Sequence, residues 1–297
     1  MKVYRNEKSG KAIRETYDRL LAAWGCETKE QDIRTVYGTT HVIECGREDA
    51  PPLVLFHGVG DDSALMWLLN ARELGEYFRL YAIDTIGGPG KSVPNGNYNK
   101  EFDDVRWIDE TLDGLGVGQA FVAGVSHGGY LAQLYTLRRP ERVRKAVSIS
   151  GTVPVGGKKG SMSAMLAIFL PEALFPTAGN TVKLLKKLSG ENYAVFTENP
   201  LIMEHYRWLL KGFNNMAMGF HKVSAFTPEE VDSIRDRVTY LVGTEDPFEK
   251  LGGRRVLEQN RMNAVFYEKA GHGLNHERAG EINRKIVSVF QGNGEQR

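Results

Sequence analysis

The period of apolar positions changes repeatedly along the chain, and the changes outline a fold. Residues 51–58, PPLVLFHG, form a continuous apolar run closed by glycine, the pattern of a strand buried on both faces. FRLYAID (78–84), AFVAGVS (120–126), VRKAVSIS (143–150), RVTYLVG (237–243) and NAVFYEKAG (263–271) repeat the theme. Stretches of helical spacing lie between them. Residues 63–78 set Leu65, Leu68, Leu69 and Leu74 on or near one side of a single helix. Residues 100–116 predict an amphipathic helix with Phe102, Val105, Ile108 and Leu112 inward and carboxylates outward. HGGYLAQLYTLRRP (127–140) is a helix stopped by Pro140, and 275–291 is a closing helix. RTVYG and THVIECG, within 34–46, predict a hairpin that turns near Gly38. Strand–helix alternation of this kind implies a mostly parallel sheet with helices on both faces.

The rhythm breaks at 151–227, where no convincing strand occurs. SAMLAIFL (163–170), NTVKLLKKL (180–188) and NPLIMEHYRWLLKGFNNMAM (199–218) are helical pieces rich in Met, Phe, Leu and Tyr. The chain therefore divides into an α/β core, 31–150 with 228–297, and a helical insertion, 151–227. An N-terminal helical segment, 1–30, precedes them. Tyr4, Ile13, Tyr17, Leu20, Leu21 and Trp24 recur there at helical spacing, an apolar face for the core or for a second subunit, which leaves a homodimer open.

Composition narrows the classes. Lys and Arg number 38 against 37 Asp and Glu, so nothing in the charge calls for nucleic acid or an anionic membrane. The N-terminal residues lack the apolar centre of a signal peptide, and the longest lipid-like patch, 164–170, ends at Pro171, too short to span a bilayer. Cys26 and Cys45 lack metal-ligand spacing and read as packed thiols of a reducing compartment. These features predict a cytoplasmic protein with no metal and no organic cofactor.

DTIGGPGKS (84–92) looks like a phosphate loop because it follows a strand and ends in Gly-Lys-Ser. A phosphate loop needs glycine five positions before Gly90, and Thr85 stands there. Pro89 also removes an N–H where donors are needed. A dinucleotide fold is excluded as well, since no GxGxxG follows the first parallel strand.

Chemistry concentrates in AFVAGVSHGG. Gly124-Val125-Ser126-His127-Gly128 matches G-x-S-x-G between an apolar strand and a helix. Glycines at both ends permit a sharp strand-to-helix turn with Ser126 in a strained conformation, its hydroxyl above the strand ends. A serine alcohol needs a base to take its proton and a carboxylate to orient that base. YEKAGHGLN places His272 between two glycines after the last strand. LVGTEDPF places Glu245 and Asp246 just past the preceding one, and Asp246, 26 positions before His272, is preferred for its shorter side chain. His276 falls within the closing helix and is the weaker base. For the oxyanion, the backbone N–H of His127 and one from HGVGDD, best Val59, are the expected donors. His57, ending a buried strand, is expected to brace that loop rather than act as a base.

HGVG, GVSHGG, GTEDPF and AGHGLN, in the order Ser, acid, His, make the chain resemble the α/β-hydrolase fold superfamily, specifically capped carboxylesterase-like serine hydrolases. The resemblance covers nearly everything beyond the N-terminal helix. It implies a doubly wound, mostly parallel eight-stranded sheet with 151–227 as a cap that covers the pocket and sets acyl preference. It also implies that DTIGGPGKS is a scaffold turn, one residue longer than the common D-x-x-G-x-G-x-S form. The expected reaction is hydrolysis of a small-molecule ester or acyl compound with an apolar portion. Three alternatives stay open: a lactonase, a carbon–carbon bond hydrolase using Arg207 or Lys211 to hold a carboxylate, and a ligand sensor that keeps the fold.

Overall fold

A computed structural model describes residues 2–156, 172, 174–247 and 253–292; the predicted helix at 163–170 lies outside them. Helix α1 (Glu7–Ala22) leads into the antiparallel pair β1 (Thr28–Thr35) and β2 (Gly38–Gly46). Then follow β3 (Pro52–Phe56), the short helices α2 (Ser63–Met66) and α3 (Ala71–Gly75), and β4 (Arg79–Ile83). A two-residue β5 (Val93–Pro94), α4 (Asp104–Gly114), β6 (Ala120–Val125), α5 (His127–Arg138) and β7 (Val143–Ile149) complete the first half of the core.

Within the insertion lie α6 (Ala178–Leu188), α7 (Ala194–Thr197), α8 (Pro200–Gly212) and a 3₁₀ turn at Asn215–Met218. The core resumes with α9 (Pro228–Ile234), β8 (Val238–Gly243), α10 (Gly253–Gln259) and β9 (Asn263–Tyr267). It closes with α11 (Leu274–Glu277) and α12 (Ala279–Gln291).

Eight strands run in the order β1-β2-β4-β3-β6-β7-β8-β9, with β5 added beside β2. From β4 through β9 every pairing is parallel, and β2 meets β4 antiparallel. Alternating side chains explain why the strands read as unbroken apolar runs. Leu53 and Leu55 join the core under α1, α3 and α12, whereas Val54 and Phe56 join the core under α4 and α5. With both faces covered, the central strands β3 and β6 carry no polar side chain.

Three predicted elements change in detail. The helix expected over 63–78 is two short helices, because Asp62 caps α2 and the chain then breaks at Trp67. Asn70, just ahead of α3, is buried and donates to Asn275 O and Asn283 Oδ1, an anchorage that spacing alone does not show. Helix α4 starts at Asp104, where Asp103 accepts from the N–H of Val105 and of Arg106. Its buried face is Trp107, Ile108, Thr111 and Leu112, with Val105 only half-buried. The closing helix breaks at Arg278, whose φ of −129° is not helical.

Helix α1 buries Ile13, Tyr17, Leu20 and Leu21 within the chain itself, against residues of α8 and α2. Its apolar face is thereby covered without a second subunit. Among the described residues no helix is long and apolar enough to cross a membrane, and Cys26 and Cys45 are both free thiols.

Candidate active site

Ser126 follows β6 and caps α5 with φ 56° and ψ −116°, a region that non-glycine residues avoid. Its neighbours explain how the turn is held. A Cβ on Gly124 would lie 2.1 Å from Gly128 O, and one on Gly128 would lie 2.3 Å from Phe56 O. A side chain at either position would force β6, α5 and β3 apart. The Ser126 N–H donates to Ile149 O at 2.8 Å, tying the turn to β7. His127 is the first residue of α5, so its N–H lies at the end of the helix where backbone donors lack intrahelical partners.

The loop after β3 approaches the same point. The Cβ position of Gly58 lies 3.5 Å from Ser126 Cβ, and Val59 follows with its side chain half exposed. His57 braces this loop as expected. Its Nε2 accepts from the Thr85 N–H at 2.8 Å, so Nδ1 carries the proton and donates to Gly58 O at 2.8 Å. Burial lowers its pKa and keeps the ring neutral, the nearby Asp84 charge opposing that effect.

On the far side of β7, the loops after β8 and β9 meet. His272 Nδ1 stands 2.8 Å from Asp246 Oδ2, with Asp246 buried and the imidazole 16% exposed. Glu245 is exposed, so the two adjacent carboxylates are separated by environment. His276 lies on α11, buried, with Nε2 3.0 Å from Leu65 O, and burial lowers its pKa to about 4. Ser126, Asp246 and His272 thus each sit just beyond the C-terminal end of a parallel strand, β6, β8 and β9 in turn.

The turn at 84–92 is tied down by its own chain. Asp84 accepts from the Ser63 and Lys91 N–H groups and from Tyr17 Oη, and its backbone O accepts from Ser92 Oγ. A Cβ on Gly90 would meet that carboxylate at 2.3 Å. The Lys91 ammonium is held by Asp18 and Glu30. The loop thus joins α1, α2 and the sheet. Among the described residues no His, Cys, Asp and Glu cluster could hold a metal ion.

Several polar groups near the site were not legible in the sequence. Asp62 and His205 pair at 2.8 Å while fully buried, and His205 Nδ1 lies 2.7 Å from Thr16 Oγ1. Burial alone would raise the Asp62 pKa, but the His205 charge and hydrogen bond hold it below the usual carboxylate range. Asp61 beside it is pushed up to about 7 by burial, with the Asp62 charge adding to the effect. His221 bridges Asp104 Oδ1 at 2.5 Å and Ile86 O at 2.8 Å. These partners are more than a hundred positions apart, and no local motif marks them. Arg207 and Lys211, the residues considered for carboxylate binding, are both exposed on α8.

A family model described as alpha/beta hydrolase fold matches residues 51–279. A carboxylesterase of Bacillus subtilis (strain 168), YbfK, is 30% identical over 297 aligned residues, which cover 96% of this chain and 95% of that protein. An uncharacterized carboxylesterase, nap, from the same organism is 31% identical, covering 96% and 94%. The crystal structure of a naproxen esterase from Bacillus subtilis superimposes with a TM-score of 0.81 at 26% identity, covering 96% of this chain and 99% of that one.

Proposed function

Because the chain belongs to the α/β-hydrolase fold family, we propose that it hydrolyses carboxylic esters through an acyl-enzyme on Ser126. Relatives named carboxylesterases along nearly their whole length support the ester class. The observation that carries the residue assignment is the 2.8 Å bond between His272 Nδ1 and Asp246 Oδ2. It fixes one imidazole tautomer, with Nδ1–H donating to the carboxylate and Nε2 left as the basic nitrogen.

In this reading Nε2 of His272 takes the Ser126 hydroxyl proton as Oγ adds to the ester carbonyl. Asp246 stabilises the imidazolium that forms. The backbone N–H groups of Val59 and His127 hold the developing oxyanion, a contribution of about 3–4 kcal/mol per donor in comparable sites. Collapse expels the alcohol, which receives its proton from His272. Water, deprotonated by the same imidazole, then adds to the acyl-enzyme and releases the acid and Ser126.

The insertion acts as the cap in this scheme. Its residues reach the loops at the C-terminal strand ends: His205 to Asp62, Ala217 O to Tyr98 Oη, and Leu188 O to the His272 N–H. Val59 and Met216 leave exposed apolar surface on this loop and on the 3₁₀ turn, which suits an ester with an apolar portion.

The test is pre-steady-state hydrolysis of p-nitrophenyl esters of graded acyl length. A burst of nitrophenol that disappears in Ser126→Ala is expected. Undiminished turnover in that variant would remove the reading, and no turnover in the intact protein would favour the ligand sensor.

A further inference from the structure

Glu277 is a buried carboxylate that the proposed chemistry does not use. It sits at the end of α11, five residues beyond His272, and is 7% exposed. Its two oxygens serve two chain segments. Oε1 accepts from the Gly271 N–H at 3.0 Å, on the loop that carries His272, and Oε2 accepts from the Gly190 N–H at 2.8 Å, in the insertion. Burial raises its pKa, and these two donors oppose the rise.

The two segments also bond directly. The His272 N–H donates to Leu188 O at 2.6 Å, and the Glu191 N–H donates to Lys269 O at 2.9 Å. Arg278 and Lys269 both pair with the Glu191 carboxylate, at 3.1 and 3.3 Å. The crossing has no room for side chains: a Cβ on Gly190 would lie 1.9 Å from Lys269 O, and one on Gly271 would lie 2.4 Å from Leu188 O. Such an approach of two irregular segments would strand backbone donors unless something accepted from them, and Glu277 does so for one from each side.

We infer that Glu277 and the 188–191 segment of the insertion form a strap that positions His272 for its work on Ser126. Glu277 is a positioning residue, acting through the backbone of the His272 loop rather than on substrate. The inference rests on the reading of His272 as the general base. It links the insertion to the base as well as to the pocket: displacement of α6, which ends at Leu188, pulls on the imidazole loop directly. Glu277→Gln tests it with little change of shape, because a glutamine offers one acceptor and turns an amide N–H₂ toward the other backbone donor. Gly190→Ala separates the two backbones without altering any charge.

Both variants are made in the full chain and assayed with a short p-nitrophenyl ester, with rates normalised to folded protein by circular dichroism. Each is expected to lower kcat about 10- to 100-fold, the scale of a small misplacement of a catalytic group, with KM within twofold. In a His272→Ala background neither is expected to lower the residual rate further. Equal losses in both backgrounds would mean general damage and would overturn the strap, as would an unchanged kcat in either variant. If His272→Ala itself keeps full activity, the assignment of the base has failed rather than the strap.

Discussion

Asp62 and His205 lie 143 positions apart and meet at 2.8 Å with both side chains fully buried. One Asp62 oxygen caps α2 through the Leu65 N–H while the other holds the imidazole of α8, which in turn touches Thr16 of α1. Three elements are joined through one carboxylate, beside the loop assigned to the oxyanion. Removing one member of such a pair strands a buried charge and costs about 3–5 kcal/mol. His205→Ala is expected to lose stability on that scale in urea titration. Asp62→Asn combined with His205→Gln should lose less than the two single changes together.

The environments of two adjacent carboxylates predict opposite outcomes. Asp246 is buried against His272, and Glu245 is exposed. Asp246→Asn should lower kcat about 10⁴-fold by favouring the wrong imidazole tautomer, whereas Glu245→Gln should stay within about twofold. Comparable losses in both would contradict the assignment.

The turn that carries Ser126 predicts a stability effect separable from chemistry. Gly128→Ala would set a methyl 2.3 Å from Phe56 O, which is rigid backbone, so a loss above about 2 kcal/mol is expected. Gly96, with nothing within 4 Å of its Cβ position, supplies the control. Gly96→Ala should leave the unfolding midpoint nearly unchanged.

Asp61 gives a pH dependence. Its carboxyl is raised to about 7 by burial, against 3.8 for a free side chain. A raised acid binds its proton more tightly folded than unfolded. Between about pH 4 and 7 the folded state therefore holds more protons, stability falls as pH rises through that window, and it is level above. Asp61→Asn cannot ionise. It should gain on the parent protein by roughly 2–4 kcal/mol between pH 4.5 and 8, as read from urea unfolding at each pH. A stability difference that stays flat across that range would contradict burial as the cause.

Much of the site was readable because its signals are local. Glycines two positions either side of Ser126 mark a turn in which neither can bear a Cβ, and the apolar run before it marks a buried strand. The glycines flanking His272 are likewise fixed by close approaches, of Gly271 to Leu188 O and of Gly273 to Phe196. Local pattern failed where packing overrides period. Residues 63–78 carry helical spacing, yet buried Asn70 is held by Asn275 and Asn283 from the far end of the chain, and the helix is split.

The sequence by itself determined the succession of the parallel strands, the serine turn and the short list of histidines and carboxylates beyond the strands. Beyond the expected pairing of His272 with Asp246, it could not say which imidazole meets which acid. His41 lies against Asp32 and Glu30, His205 against Asp62, His221 against Asp104 and His272 against Asp246. The first set is local to one hairpin; the others join distant elements. Turn chemistry and apolar period arise among residues a few positions apart, so they can be read along the chain. Contacts such as those of Glu277 with Gly190, or His205 with Asp62, exist only once the insertion is packed on the sheet, because burial supplies both the proximity and the need for a partner.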